Sequence, residues 1–203
     1  MNYKMIKTVI FDIGNVLVDY SWREFFDQFK LPPDIYERLT RATVLNEDWN
    51  EFDRGVLTTR QVLDLLKEND PQIGDVIDRV FENANGLVTR RDYAIPWIKE
   101  LQAKGCRVLV LSNFSEKALQ DCADAMDFLA YVDGGILSYR EKVIKPMPEI
   151  YERLIAQNDL IPQECVFLDD LQQNLDGAAA FGIHTILFRT KEQAEEELRK
   201  LGV

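Results

Sequence analysis

A mainly parallel, doubly wound α/β sheet with a helical unit inserted after its first strand is the fold class this sequence predicts, on three observations. Short apolar runs of strand length recur at residues 5–11, 108–111, 166–168 and 185–188, with helix-like stretches between the later ones. These runs are continuously apolar and do not alternate, which suits strands covered by helices on both faces, as in a Rossmann-like core. About 95 residues separate the first run from the second, far more than the dozen or so that a right-handed crossover needs, so something further is inserted there.

Taken in order, Lys4 and Lys7 lead straight into Thr8-Val-Ile-Phe11, with no long apolar stretch ending in a small-residue cleavage site. A cytoplasmic location is expected. Residues 21–29, 33–44, 59–68 and 73–84 then show helical spacing, broken by Pro32, Gly55 and Pro71. They predict a small helical cap over residues 20–88, with Asn85-Gly86 near its exit, and an α/β catalytic core of residues 1–19 and 89–203. Trp22, Phe25, Phe26 and Phe29 recur at helical spacing, the mark of a face packed on neighbouring helices. The strand at 108–111 ends in Ser112-Asn113, a pair common where a strand turns into a helix. Lys145-Pro-Met-Pro-Glu-Ile-Tyr151 sets a cation just before a helix opened by proline, where backbone N–H groups favour anions. The strand at 166–168 runs into Asp169-Asp170, and Asn174 follows one helical turn later. His184, the sole histidine, stands beside the last strand and reads as structural. Glu195-Glu-Glu197 ahead of Arg199-Lys200 reads as a solvated terminal helix whose charges suit its dipole.

A chain of 203 residues with 46% hydrophobic content can bury a full core as one principal domain with an inserted module. No apolar run approaches the roughly 18 residues of a membrane span. The formal net charge of −11 and the lack of a basic run argue against a nucleic-acid groove, whose affinity comes from clustered Lys and Arg. A small anionic substrate is compatible with that balance if positive charge is focused locally. Cys106, Cys122 and Cys165 lack Cys-x-x-Cys spacing and read as buried free thiols, not as a zinc site or a disulfide set.

Asp12 follows Val9, Ile10 and Phe11, which places it at the carboxyl end of the first strand. Ligands bind on that edge of open α/β sheets, near the point where strand order reverses. By itself Asp12 reads equally well as a turn or capping residue, and Lys145 alone reads as a surface charge. Ser112 and Asn113 add a hydroxyl and an amide suited to oxygen recognition. The adjacent carboxylates Asp169 and Asp170 are costly unless solvated or neutralised by a cation, and hard oxygen ligands suit magnesium.

In sequence order, Phe11-Asp12-Ile-Gly-Asn-Val16, Leu111-Ser112-Asn113, Lys145-Pro146, and Leu168-Asp169-Asp170 through Asn174 to Gly182 resemble the motifs of the haloacid dehalogenase-like hydrolase superfamily, over residues 7–188. The Asp-x-Gly-Asn-Val opening is most similar to a bacterial subgroup of small sugar-phosphate phosphatases related to the phosphatase domain of soluble epoxide hydrolase. Trp49-Asn-Glu-Phe-Asp-Arg-Gly55 and Leu57-Thr58 in the inserted region resemble that subgroup's helical cap. The resemblance implies a magnesium-dependent phosphatase acting on a small phosphorylated metabolite; the charge balance and the short apolar runs leave no nucleic-acid or membrane partner expected. Asp12 would be the nucleophile that forms an aspartyl-phosphate. Mg2+ would be held by Asp12, the Gly14 carbonyl and Asp170, with Asp169 ligating directly or through water. Ser112, the Asn113 backbone and Lys145 would receive the transferring oxygens.

Two positions depart from the superfamily pattern. Most of its phosphatases carry a second Asp two residues after the nucleophile, which protonates the leaving oxygen; here that position is Gly14. Such acid catalysis is worth about 10²–10⁴ in rate. The expectation is a rate that falls as the leaving oxygen becomes more basic, so that aryl, acyl and sugar 1-phosphates are favoured over simple alkyl esters. Asp19 or a cap residue is the substitute to look for, although Asp19 itself reads as a solvated hinge residue. Met147 stands where the subgroup has an acid and predicts a weakened helix start. Trp49 and Arg54 are the cap residues singled out for substrate contact, against packing and a surface ion pair as their plainer readings. Two alternatives compete with a phosphatase. A haloacid dehalogenase needs no leaving-group acid, but Asp169-Asp170 would repel its carboxylate substrate. A catalytically weak phosphate-binding or regulatory protein fits the absent acid, but not the intact Asp12, Ser112, Lys145 and Asp170.

Overall fold

Thr8–Phe11, buried along its whole length, forms the middle strand of a parallel sheet. The computed structural model describes residues 5–203, so Lys4 and the rest of the first four residues lie outside it. The strands in chain order are β1 (Thr8–Phe11), β2 (Val18–Tyr20), β3 (Val88–Arg90), β4 (Arg107–Ser112), β5 (Gly135–Leu137), β6 (Cys165–Asp169) and β7 (His184–Leu187). The helices are α1 (Trp22–Asp27), α2 (Pro33–Ala42), α3 (Asn50–Arg54), α4 (Thr59–Asn69), α5 (Gly74–Val80), α6 (Ala94–Ala103), α7 (Glu116–Asp121), α8 (Ser138–Glu141), α9 (Pro148–Gln157), α10 (Gln172–Ala179) and α11 (Lys191–Lys200).

The main sheet has the order β5-β4-β1-β6-β7, parallel throughout. The chain runs outward from β1 through β4 to β5, then crosses back to lay β6 and β7 on the other side. Strand order therefore reverses beside β1, and the carboxyl edge of β1, β4 and β6 is where such a sheet opens a crevice. Alternate residues of β1 face opposite layers. Val9 and Phe11 belong to the hydrophobic cluster that includes Trp97 and Ile98 of α6 and Leu198 of α11, while Ile10 belongs to the other, with Ile150 and Leu154 of α9 and Leu175 of α10. The Phe11 and Trp97 ring centroids are 4.7 Å apart. Each fully buried side chain of this kind contributes about 1.5–3 kcal/mol, and the apolar runs of the sequence are explained by this two-sided burial.

Between β2 and β3 lie α1 to α5, built around Phe25, Phe26, Leu66, Ile77 and Phe81. The aromatic spacing noted in the sequence is that packed face: Phe26 meets Tyr36 and Phe81 edge-on at 5.9 Å each. Thr58 and Gln61 close a capping box at the start of α4. β2 and β3 pair antiparallel, Val18 opposite Arg90, so the two connections to the helical segment run side by side.

Several short elements escaped the sequence pattern. β2, β3 and β5 are three residues each, too short for a periodicity, and α3 is five. β5 begins at Gly135 (φ 127°), where only glycine fits: a Cβ would lie 2.1 Å from the Val110 carbonyl oxygen. The first strand starts later than its apolar run: Met5 is exposed, and the ladder begins where Lys7 donates to the Glu164 carbonyl and accepts from the Arg107 N–H. Cys106, Cys122 and Cys165 are buried free thiols. Among the described residues no helix is long and apolar enough to cross a membrane.

Candidate active site

The carboxyl ends of β1, β4 and β6 and the turn before α9 converge on one cleft of about 270 Å³. Asp12, one residue past β1, is buried, and its Oδ1 accepts the Ile13 N–H at 2.7 Å. The chain then turns tightly, three amides reaching the Ile13 carbonyl. Asn15 carries a positive φ of 56°, a conformation Asn tolerates better than most side chains. Its Nδ2 donates to Asp170 Oδ2 at 2.9 Å and so clamps the first motif to the fourth.

Lys145 is the electrostatic centre. Its Nζ lies 2.9 Å from Asp12 Oδ1 and 2.6 Å from Asp169 Oδ2, all three groups being buried. Burial by itself pulls the Lys145 ammonium down, but Asp12 and Asp169 outweigh it and hold it above the ordinary lysine range. Asn113 fixes the lysine from behind: its Oδ1 accepts the Lys145 N–H at 2.7 Å and its Nδ2 donates to the Lys145 carbonyl at 3.0 Å. Ser112, also buried, lines the cleft beside Asp12. Met147, at the N-cap of α9, makes no capping hydrogen bond; Pro148 opens the helix.

Asp12, Asp169 and Asp170 each offer a carboxylate oxygen, the three lying within 4.8 Å of one another. Asp169 is already heavily engaged, its Oδ1 accepting the Leu171 N–H at 2.8 Å and both oxygens accepting from Asn174 Nδ2 at 3.1 Å. Burial pushes Asp12 up to about 6, with Lys145 opposing and Asp169 adding to the rise. Asp170 is raised as well, chiefly by burial. Three ionised carboxylates against one ammonium leave two negative charges, and the buried Oδ1 of Asn174 has no hydrogen-bond partner among the described residues. A hard divalent cation fits this donor set.

The catalytic and metal-ligating candidates of the sequence therefore meet here: Asp12, Gly14, Ser112, Asn113, Lys145 and Asp170 line the cleft, with Asp169 bonded to the same lysine. Trp49 lines it too, while packing on Phe52 and Phe81. Arg54 does not; it pairs with Glu51 at 3.0 Å. Asp19 is likewise outside, exposed on β2 and paired with Arg91 at 2.7 Å. His184 begins β7, in register with Val166. Sequence reasoning missed Asn15 as a clamp and overlooked Tyr20, Asp53, Leu87, Phe114 and Leu171 in the wall. For Asp53 a signal existed, since it sits inside the Trp49 to Gly55 stretch.

One edge of the Rossmann-like sheet thus gathers a strand-end carboxylate, a buried lysine and an acidic cluster. The model of the haloacid dehalogenase-like hydrolase family matches residues 6–182, and the chain belongs to that family; it is a hydrolase of that kind. It is 26% identical to the sesquiterpene phosphatase of Aspergillus oryzae, over 96% of each chain. It is 27% identical to the D-ribitol-5-phosphate phosphatase of Bacteroides thetaiotaomicron, over 89% of this chain and 91% of that one. It is also 28% identical to acyl-CoA dehydrogenase family member 10 of Mus musculus, of whose length it spans only 19%. Among solved structures, a family enzyme of Bacteroides thetaiotaomicron in its magnesium complex superposes with a TM-score of 0.76 at 22% identity, over 97% of this chain and 100% of that one, a likeness of fold.

Proposed function

We propose that the chain is a magnesium-dependent phosphatase that hydrolyses a small phosphorylated metabolite, a sugar phosphate among the candidates, through an aspartyl-phosphate on Asp12. The observation that carries this reading is Lys145 bridging Asp12 and Asp169 in a cleft that Asp170 also lines. The full-length relatives named as phosphatases support it. Asp12 attacks phosphorus in line, the ester P–O bond breaks, and water then displaces Asp12 from phosphorus to release inorganic phosphate. Lys145 and Ser112, with the Asn113 backbone, hold the transferring oxygens by preorganised charge and hydrogen bonds. Asp12, the Gly14 carbonyl and Asp170 would hold Mg2+, with Asp169 reaching it directly or through water. Bound there, the ion would neutralise charge between nucleophile and phosphate and polarise the phosphoryl oxygens.

Residues 20–88 act in this reading as a cap over a core of residues 1–19 and 89–203, bringing Trp49 to the cleft. Three buried free cysteines suit a reducing, cytoplasmic setting. The acid cluster disfavours the dehalogenase alternative, whose substrate carries its own carboxylate. The decisive measurement is phosphate release from p-nitrophenyl phosphate by wild type and Asp12→Asn, with and without magnesium. Turnover that needs the metal and disappears in the variant, at an unchanged circular dichroism spectrum, is expected. A variant that keeps the wild-type rate rules out the covalent mechanism.

A further inference from the structure

Resting on the phosphatase reading, the cleft still needs a group that gives the departing oxygen its proton. Gly14 has no side chain to do so. Among the described residues three carboxyls line the cleft: Asp12, Asp170 and Asp53. Asp12 is taken as nucleophile, and Asp170 is held by Asn15 beside the metal donors. Among the other proton carriers of the wall, Lys145 is locked between two acids, and Ser115 caps α7 by accepting the Ala118 N–H.

Asp53 enters from a different element, α3, on the side of the helical segment. Its carboxyl makes no hydrogen bond or ion pair with the described residues. Its backbone, by contrast, is tied down. Ser138 Oγ donates to the Asp53 carbonyl at 2.6 Å and accepts the Phe114 N–H at 2.9 Å, joining α3 to the loop that follows Ser112 at the end of β4. Next to it, Lys142 Nζ donates to the Gly55 carbonyl at 2.5 Å. A free carboxyl on a fixed backbone, in the cleft wall, is the arrangement a proton shuttle needs.

We propose that Asp53 is the general acid of the first step and the general base of the second. As Asp12 bonds to phosphorus and the ester P–O bond breaks, the Asp53 proton passes to the leaving oxygen, giving the alcohol and an Asp53 carboxylate. That carboxylate then takes the proton of the attacking water as the phosphorus–Asp12 bond breaks, which restores both aspartates and releases phosphate. Burial lifts the Asp53 carboxyl to about 7, with Asp12 adding to the rise and Lys145 opposing it. Tyr20, whose buried hydroxyl has no hydrogen-bond partner among the described residues, is the other titratable neighbour; Lys117 on α7 is paired with Asp121.

The test is the rate of aspartyl-phosphate formation in single turnovers across phosphate esters of graded leaving-group pKa, with magnesium, for wild type and Asp53→Asn. Wild type should show a shallow dependence. In the variant, alkyl esters should slow by about 10²–10⁴ while p-nitrophenyl phosphate, which needs no proton, changes by less than about tenfold. An equal loss on both ester types, or no loss, overturns the assignment and leaves the phosphatase reading intact. A wild type that labels Asp12 with no ester removes both. Should Asp53→Asn fail to fold, the wild-type series still decides: a steep dependence means no residue protonates the leaving group.

Discussion

Lys145 holds a balance that single substitutions should tip. With one ammonium serving Asp12 and Asp169, and Asp170 raised nearby, the cluster is short of positive charge. Because the folded-state Asp12 lies at about 6, above its ordinary 3.8, the folded protein binds its proton more tightly than the unfolded chain. Its contribution therefore favours folding at low pH and is lost as pH rises between these values. A cation that binds carboxylates competes with that proton. Magnesium should raise the melting temperature more at pH 7.5 than at pH 5, and Asp170→Ala should abolish most of the rise. A magnesium-induced shift of equal size at both pH values, or calorimetric affinity unchanged in Asp170→Ala, would remove Asp12 and Asp170 as the ligand pair. Asn15→Ala belongs to the same scale: freed from its clamp, Asp170 should bind magnesium more weakly, again read by calorimetry.

At the scale of elements, the docking of α3 on α8 sets where Asp53 stands. Gly55 ends α3 in the left-handed region (φ 66°), and a Cβ there would lie 2.6 Å from the Tyr139 carbonyl oxygen. Backbone cannot yield as a flexible side chain can. Gly55→Ala should cost about 1–3 kcal/mol of stability in urea unfolding, through overpacking and the lost left-handed conformation. An unchanged midpoint would show that α3 and α8 part without penalty. The fourth segment illustrates what was legible at this scale. Asp169 and Asp170 were readable because the end of a strand is local in sequence, whereas their separate duties depend on Asn174, Leu171 and Asn15 contacts that only packing creates.

For the molecule as a whole, a formal charge of −11 surrounds a cleft whose lysine is buried at its floor. A dianionic ester approaching from afar meets repulsion before it meets Lys145. The Debye length falls from about 30 Å at 0.01 M salt to about 10 Å at 0.1 M, so kcat/KM for such an ester should rise over that range at constant magnesium. A steep fall would show that attraction reaches beyond the cleft.

The sequence by itself determined the doubly wound sheet, the helical insertion, the family and the cluster of Asp12, Ser112, Asn113, Lys145, Asp169 and Asp170. Each of these is written locally, in an apolar run that stops or a helix signal that follows it, and strand order at a reversal point then brings the strand ends together. Only the tertiary structure decided that Asp19 is spent on Arg91 and that Asp53 reaches the cleft with its carboxyl unpaired among the described residues. The first follows from β2 pairing with β3, the second from α3 packing against α8 and from Ser138 bridging Asp53 to Phe114. Such contacts join residues far apart in the chain, and their side-chain partners are chosen by distance and burial, which no local pattern encodes.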